Sequence, residues 1–349
     1  MRECPRRTAW PVAPWLLIVP LLAVFGCDAG KRAAPQPASG PLLGLLELPV
    51  ALRIAGGKPR SSKKVEISPT ELRVDSVATL ELEHGRIAAA DRGGASVPKL
   101  DDALSRGAAR DQVAISAHAQ VPYDTLALVL RAASRAGMRR LAFRVRKAGG
   151  AGTEGGWLHV ERYQVTAYTG NEHAAIEGAD PRPWSDFATR WQAVESACRE
   201  AATGSCAILP ERVAKGGELK IVLHASGHGT NLRFVRMGAP PPAAGTSKPT
   251  AAEVAQGYAP SSEYQTEPVA TEARFQFRAK DVLTDPSPVS TTLEPVCGTT
   301  PCAVFVQSDA RTSSLRVLSL IGAAFPDGTP SPTISFELPR AAHRAEAEH

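Results

Sequence analysis

The stretch from Gln112 to Val145 constrains the fold more than any other, because it reads strand, helix, strand with little connecting chain. Val113, Ile115 and Ala117 mark the first strand. Pro122 opens a helix in which Leu126, Val129, Leu130 and Ala133 fall at i, i+3, i+4 and i+7, one face of a 3.6-residue period. Gly137 stands where a left-handed residue ends a helix. M-R-R-L-A-F-R-V-R then closes the unit, with Leu141, Phe143 and Val145 on one face and arginines on the other. Upstream, Val65/Ile67, Leu72/Val74 and Leu80/Leu82 alternate with polar residues as half-buried strands do. His84-Gly85 reads as a hairpin turn leading to Ile87, and Val97-Pro98-Lys99 opens a short helix with Leu100, Ala103 and Leu104 on one face. The order ββ-α-β-α-β makes this an α/β (α+β) chain, with a mixed sheet covered by two helices.

A search for internal periods extends the pattern. G-E-L-K-I-V-L-H-A-S-G-H-G-T-N-L-R-F-V-R runs parallel to the first helix and closing strand. Leu219 falls on Leu126, Val222 on Val129, Gly229 on Gly137, and Leu232-x-Phe234 on Leu141-x-Phe143. A third stretch, C-A-V-F-V-Q-S-D-A-R-T-S-S-L-R-V-L-S-L-I-G, sets Val304, Val306 and Ala310 on Val113, Ile115 and Ala119 without a gap. Gly328 falls on Gly137, and Ile334-x-Phe336-x-Leu338 closes it. The expectation is three tandem units, at 47–147, 157–238 and 272–339, the second with a helix through Leu219–Gly229. A length of 349 residues accommodates two or three domains. The Gly-rich 148–156 and the stretch 239–271, with six prolines, read as spacers, and 340–349 as a tail.

The amino terminus reads as an export signal. M-R-E-C-P-R-R is basic; after Thr8, the 17 residues Ala9 to Phe25 are uncharged; and Gly26-Cys27 follows. Val24-Phe25-Gly26-Cys27 resembles a bacterial lipobox, in which the chain is cut before the cysteine and its thiol takes a diacylglycerol. Cys27 is then the lipidation site, 1–27 the signal and 28–46 a tether rich in Ala, Pro and Gly. The alternative is an uncleaved single-helix anchor, inside-out by its arginines. Either way the bulk of the chain is expected in the periplasm of a bacterial cell envelope, attached to a membrane. Cys198, Cys206, Cys297 and Cys302 form two close pairs, read as two local disulfides in an oxidising compartment. With seven and four residues between the members, neither pair has metal-ligand spacing. Net charge is only +5 and the signs are mixed along the chain, so no block of like charge suggests a nucleic-acid partner.

V-A-I-S-A-H-A-Q-V-P-Y-D-T-L-A-L-V-L-R-A-A-S-R-A-G-M-R-R-L-A-F, with Leu48-Pro49 upstream, resembles the periplasmic domain of the ExbD/TolR family of biopolymer-transport proteins. There a strand leads into V-P-Y, which opens a helix ending at A-G. The likeness covers about residues 45–147. It implies a dimerising head that contacts peptidoglycan and works beside an ExbB/TolQ-like motor in transmembrane transport. The family's membrane helix carries a proton-transferring aspartate, but residues 8–26 here contain no acid. An intramembrane carboxylate is kept for function, so its loss argues against proton coupling by this polypeptide. His118 stands where the family has Asp at the end of the central strand.

The chain has no G-x-S-x-G elbow, H-E-x-x-H helix or phosphate loop. The reading is therefore a non-enzymatic accessory or scaffold with no cofactor. A functional ExbD-type transport subunit is one alternative. An envelope enzyme or metal-binding protein using His224 and His228, at i and i+4 of the expected helix, is another, though a solvent-facing pair is the simpler account. His118 has the pKa range of a pH-responsive group but reads more simply as a strand-end polar residue. Arg139, Arg140, Arg144 and Arg146 form the strongest candidate contact surface, for anionic glycan or lipid, though a solvated strand face is the simpler account.

Overall fold

A computed structural model describes residues 42–44, 47–51, 54, 57, 59, 61–94, 96–107, 110–147, 155–166, 184–201, 204–209, 218–238, 269–285, 287–297, 302–325 and 333–339. The export segment, Cys27 and most of the tether and linkers lie outside them. Among the described residues no helix is long and apolar enough to cross a membrane.

The first half follows the alternation of its sequence. Strands β1 (Val50–Ala51), β2 (Lys63–Ile67), β3 (Glu71–Val74), β4 (Val77–Glu83) and β5 (Arg86–Ile87) precede helix α1 (Pro98–Ser105). Strand β6 (Gln112–Ala117), helix α2 (Tyr123–Arg135) and strand β7 (Arg140–Lys147) complete it. The order across the sheet is β1-β7-β6-β2-β3-β4-β5. β2, β6 and β7 are parallel, and β3 and β4 add as an antiparallel meander. The expected turn lies between β4 and β5, where His84 (φ 52°) and Gly85 (φ 78°) supply the two positive φ values of a two-residue hairpin. Helix α2 ends at Gly137 (φ 85°), with Met138 N–H donating to Ala133 O and Gly137 N–H to Ser134 O. Those two bonds satisfy carbonyls that the helix end would leave open.

The second half repeats this plan, with a difference from the expected division. Strands β11 (Glu218–Ala225), β12 (Thr230–Gly238) and β13 (Val269–Phe277) form a meander. Short helix α4 (Ala279–Thr284), helix α5 (Ser287–Cys297), strand β14 (Ala303–Ser308), helix α6 (Ser314–Ala324) and strand β15 (Thr333–Glu337) follow. Its core order, β15-β14-β11-β12-β13, has the same parallel and antiparallel senses as β7-β6-β2-β3-β4. Three units therefore give way to two sheets. The expected second and third copies are two parts of one sheet, and 157–238 forms no unit of its own. The helix expected over Leu219–Gly229 is the β11–β12 hairpin. The apolar run Leu219-x-Ile221-Val222-Leu223 satisfies both periods over so short a length, and the Gly227-His228-Gly229 turn settles it as a hairpin. Val269 and Ala270, placed in the 239–271 spacer, begin β13; Gly155 and Gly156 of the other spacer begin β8 (Gly155–Val160); and Leu43 of the tether is buried.

Even the turns match. Ser68 between β2 and β3, and Ser226 between β11 and β12, each accept from the backbone N–H groups two and three residues on and donate to the carbonyl three on. Between the starts of β6 and α2 the two halves correspond residue for residue, as Val113/Val304 and Ile115/Val306 anticipate.

The halves meet around a local two-fold. Tyr123 N–H donates to Thr312 O (2.7 Å) and Ser314 N–H to Val121 O (2.7 Å); Asp124 N–H donates to Ala310 O (3.1 Å) and Leu315 N–H to Ala119 O (3.0 Å). Tyr123 and Ser314 are equivalent helix starts, so each bond has its mirror, as in an isologous dimer contact. Pro122 and Ser313, also equivalent, pair as an isolated antiparallel bridge. The closing-strand aromatics Phe143 and Phe336 lie edge to face at 6.3 Å, and both are fully buried in one core that spans the two sheets. The segment after β7 straps the halves together: β8 pairs antiparallel with β7, and β9 (Arg162–Thr166) pairs parallel with β15. Helix α3 (Trp184–Glu200) and strand β10 (Cys206–Leu209) are additions to the second half, β10 lying antiparallel on β13.

Candidate functional site

Both expected disulfides are formed. Cys198 at the end of α3 joins Cys206 at the start of β10, and Cys297 at the end of α5 joins Cys302 just before β14. Each staples a helix to the strand that follows it. β10 is an edge strand of the second sheet, whereas β14 lies inside it.

The four arginines do not form one patch. Arg139 and Arg140 sit exposed at the start of β7, where Arg140 forms an ion pair with Asp111. Arg144 and Arg146 are half-buried at the far end, roughly 15–20 Å away along the strand. Across β7 and β8, Arg144 is in register with Trp157 and Arg146 with Gly155. His118 follows β6; its backbone N–H donates to Ile67 O, and its ring accepts from Gln120 N–H. Asp309 occupies the equivalent position in the second half.

His224 and His228 are also separated. His224 lies on β11 and lines a cleft of about 330 Å³ at the carboxyl ends of β11, β14 and β15, with Gln307, Ser308, Asp309, Glu337 and Pro339. His228 lies in the β11–β12 turn and lines a different cleft of about 590 Å³, beside Arg278 and Asp281. Among the described residues no group of three His, Cys, Asp or Glu is placed to hold a metal.

Sequence reasoning missed the first cleft, because its residues come from three strands of which one, β11, was expected as a helix. A polar ribbon on the outer face of the second sheet leads to it. Glu272 on β13 takes both arms of Arg233 (2.8 and 2.7 Å) and Nε of Arg274 (2.8 Å). Arg233 donates on to Gln307, and Gln307 to Glu337 (2.9 Å). Burial alone would raise the Glu272 pKa, but the hydrogen bonds from Arg233 and Arg274 outweigh it and hold the carboxyl below its ordinary range. At His224 burial dominates and lowers the pKa. Arg233 and Arg274 add to that, while Asp309 and Glu272 oppose it. The imidazole is thus held neutral next to a carboxylate-lined opening.

The carboxyl ends of parallel strands are where open α/β sheets take ligands. Donors and acceptors there suit binding; among the described residues of the cleft no nucleophile is hydrogen-bonded to an adjacent base. No protein-family model, no curated protein and no solved structure matches this chain at a significant level.

Proposed function

We propose that this chain is a membrane-attached, non-enzymatic scaffold of the bacterial envelope, built from two tandem ExbD/TolR-like modules rather than three. The observation that carries the reading is the two-fold contact at the helix starts. Its first partner, Val121-Pro122-Tyr123, is the V-P-Y of the resemblance, and the equivalent Thr312-Ser313-Ser314 meets it within the same chain. A head that dimerises in the family would here be a single polypeptide. Attachment would come through a diacylated Cys27, with no intramembrane carboxylate to carry protons. Peptidoglycan and an ExbB/TolQ-like motor are the partners that the resemblance suggests.

Intact mass of the membrane-fraction protein tests this, with Cys27→Ser alongside. A chain beginning at diacylated Cys27, four protons heavier after reduction, is the expected result. A mass that retains residues 1–26 would overturn the lipoprotein reading and favour a transport subunit with a true membrane helix. Light scattering of the purified protein should give one chain per particle, because the two-fold surface is already satisfied internally.

A further inference from the structure

The two halves differ beside the turn that Ser68 builds in one and Ser226 in the other. In the first half β4 runs on past this turn. Leu82 N–H donates to Thr70 O (2.8 Å) and Gly85 N–H to Pro69 O (2.6 Å), so the β4–β5 hairpin lies against the turn, with Leu82 and Ile87 buried. In the second half β13 ends at Phe277, and Arg278 is already the N-cap of α4. Among the described residues no hairpin covers the Ser226 turn, which instead forms one wall of the cleft of about 590 Å³.

The other walls come from the β13–α4 junction and the start of α5, and they bring two kinds of surface. Phe277 is half-buried and Val282 and Val289 are buried, so part of the lining is apolar. Arg278 and Asp281 are exposed, stand three residues apart at the junction, and both line the cleft. Neither side chain makes a hydrogen bond or ion pair among the described residues, with each other or with any other group. The Asp285 carboxylate, by contrast, already accepts from Ser287 N–H (3.1 Å). On the turn, Gly227 O is held by Arg316 Nη1. His228 O, which follows Ser226 as Thr70 O follows Ser68, has no hydrogen-bond partner among the described residues.

We infer that this cleft binds a small zwitterion, an α-amino acid with an apolar side chain. The volume lies within the range of small-molecule sites, and an apolar lining with a few polar groups is their usual make-up. The Arg278 guanidinium presents a planar fork that matches a carboxylate. An ammonium has three donors, for which Asp281 and His228 O are open acceptors. The apolar side chain displaces water from Phe277, Val282 and Val289. A simple anion would face Asp281 and a simple cation Arg278, whereas a zwitterion answers both. Because the two groups are not paired with each other, binding breaks no existing ion pair. The inference stands on the cleft alone and is independent of membrane attachment and of the family resemblance.

The test is isothermal titration of the full chain in mild detergent with L-leucine, empty micelles as blank. Saturable binding is expected. Leucinamide lacks the carboxylate, N-acetylleucine the ammonium and glycine the side chain, so each should bind at least about fivefold more weakly. Arg278→Gln should abolish the preference for leucine over leucinamide, and Asp281→Asn the preference over N-acetylleucine, which assigns each charge to its partner. Both residues are exposed, so neither change disturbs the core. Asp309→Asn, in the other cleft, should leave binding unchanged. Absence of saturable heat with leucine would overturn the proposal. So would equal binding of leucine, leucinamide and N-acetylleucine, or a loss caused by Asp309→Asn and not by the two cleft variants.

Discussion

Tyr123 and Tyr163 are both buried where the halves meet, yet replacing each by Phe should move stability in opposite directions. Tyr123 has no exposed surface, and its hydroxyl donates to Glu337 O at 2.7 Å, with Val306 O at 3.2 Å. Tyr123→Phe removes one neutral hydrogen bond and strands a buried carbonyl. The first is worth about 1 kcal/mol and the second raises the cost to about 1–3 kcal/mol. Tyr163 packs its ring against Phe336 at 6.4 Å, but its buried hydroxyl has no hydrogen-bond partner among the described residues. Tyr163→Phe keeps the ring contact and removes an unsatisfied polar atom, so it should be neutral or stabilising by up to about 1 kcal/mol. Burial pushes both phenols well above their ordinary pKa, and the Glu337 charge adds to this at Tyr123, so neither ionises in the folded protein. Guanidinium denaturation of both variants, with m unchanged, is the assay. Equal losses in the two variants, or a Tyr163→Phe loss above about 1 kcal/mol, would refute the account of the seam.

Three further expectations follow from the same structure. The disulfides close short loops, with sequence separations of 8 and 5, so replacing either cysteine pair by Ala should cost about 2–3 kcal/mol; a change in the guanidinium midpoint too small to resolve would contradict this. Acid should destabilise the second half in two steps. His224 titrates below its ordinary value of 6.5 in the folded state, so stability falls as pH drops below 6.5; Glu272 titrates below 4.5, so its contribution persists above that value and disappears as pH falls through its lowered pKa. His224→Gln should flatten the first step and Glu272→Gln the second in stability measured against pH; unchanged profiles would remove both assignments. Ser68→Ala and Ser226→Ala remove equivalent turn hydrogen bonds and should cost similar amounts, about 0.5–1.5 kcal/mol each, read from thermal melts; a large disparity would mean that the turns are not equivalent.

Local periodicity made the first half legible almost completely. The Leu126/Val129/Leu130/Ala133 stripe, the Gly137 cap and the His84-Gly85 turn all depend on residues close together in sequence. The cysteine pairs were legible for the same reason. What failed was the assignment of 219–229 as a helix, where Leu219, Val222 and Leu223 fit helical spacing while Ile221, Leu223 and Ala225 fit a strand. The local hairpin pairing of β11 with β12 across Gly227-His228-Gly229, and the pairing with β14 more than 80 residues away, decide for the strand. The cleft was illegible because His224, Asp309 and Glu337 become neighbours only once that pairing is made. Arg144 and Arg146 looked like a free basic face because β8, which covers the edge of β7, had been taken partly as linker.

Fusing two halves around a two-fold also changes what each side of the contact must do. In a dimer of identical chains every interface residue serves both sides, so one substitution is felt twice. Within one chain the sides are independent. The backbone bonds persist, since Tyr123 N–H to Thr312 O is matched by Ser314 N–H to Val121 O, while the side chains diverge from Val121-Pro122-Tyr123 to Thr312-Ser313-Ser314. Tyr123 has no aromatic counterpart and sends its hydroxyl to the end of β15. Ser314 instead sends its Oγ to His118 O, and Ser319 of α6 donates to Val50 O of β1. Both halves thus hold the other's strand ends, but with different chemistry. The second half also carries two disulfides, α3 and β10, which have no counterpart among the described residues of the first.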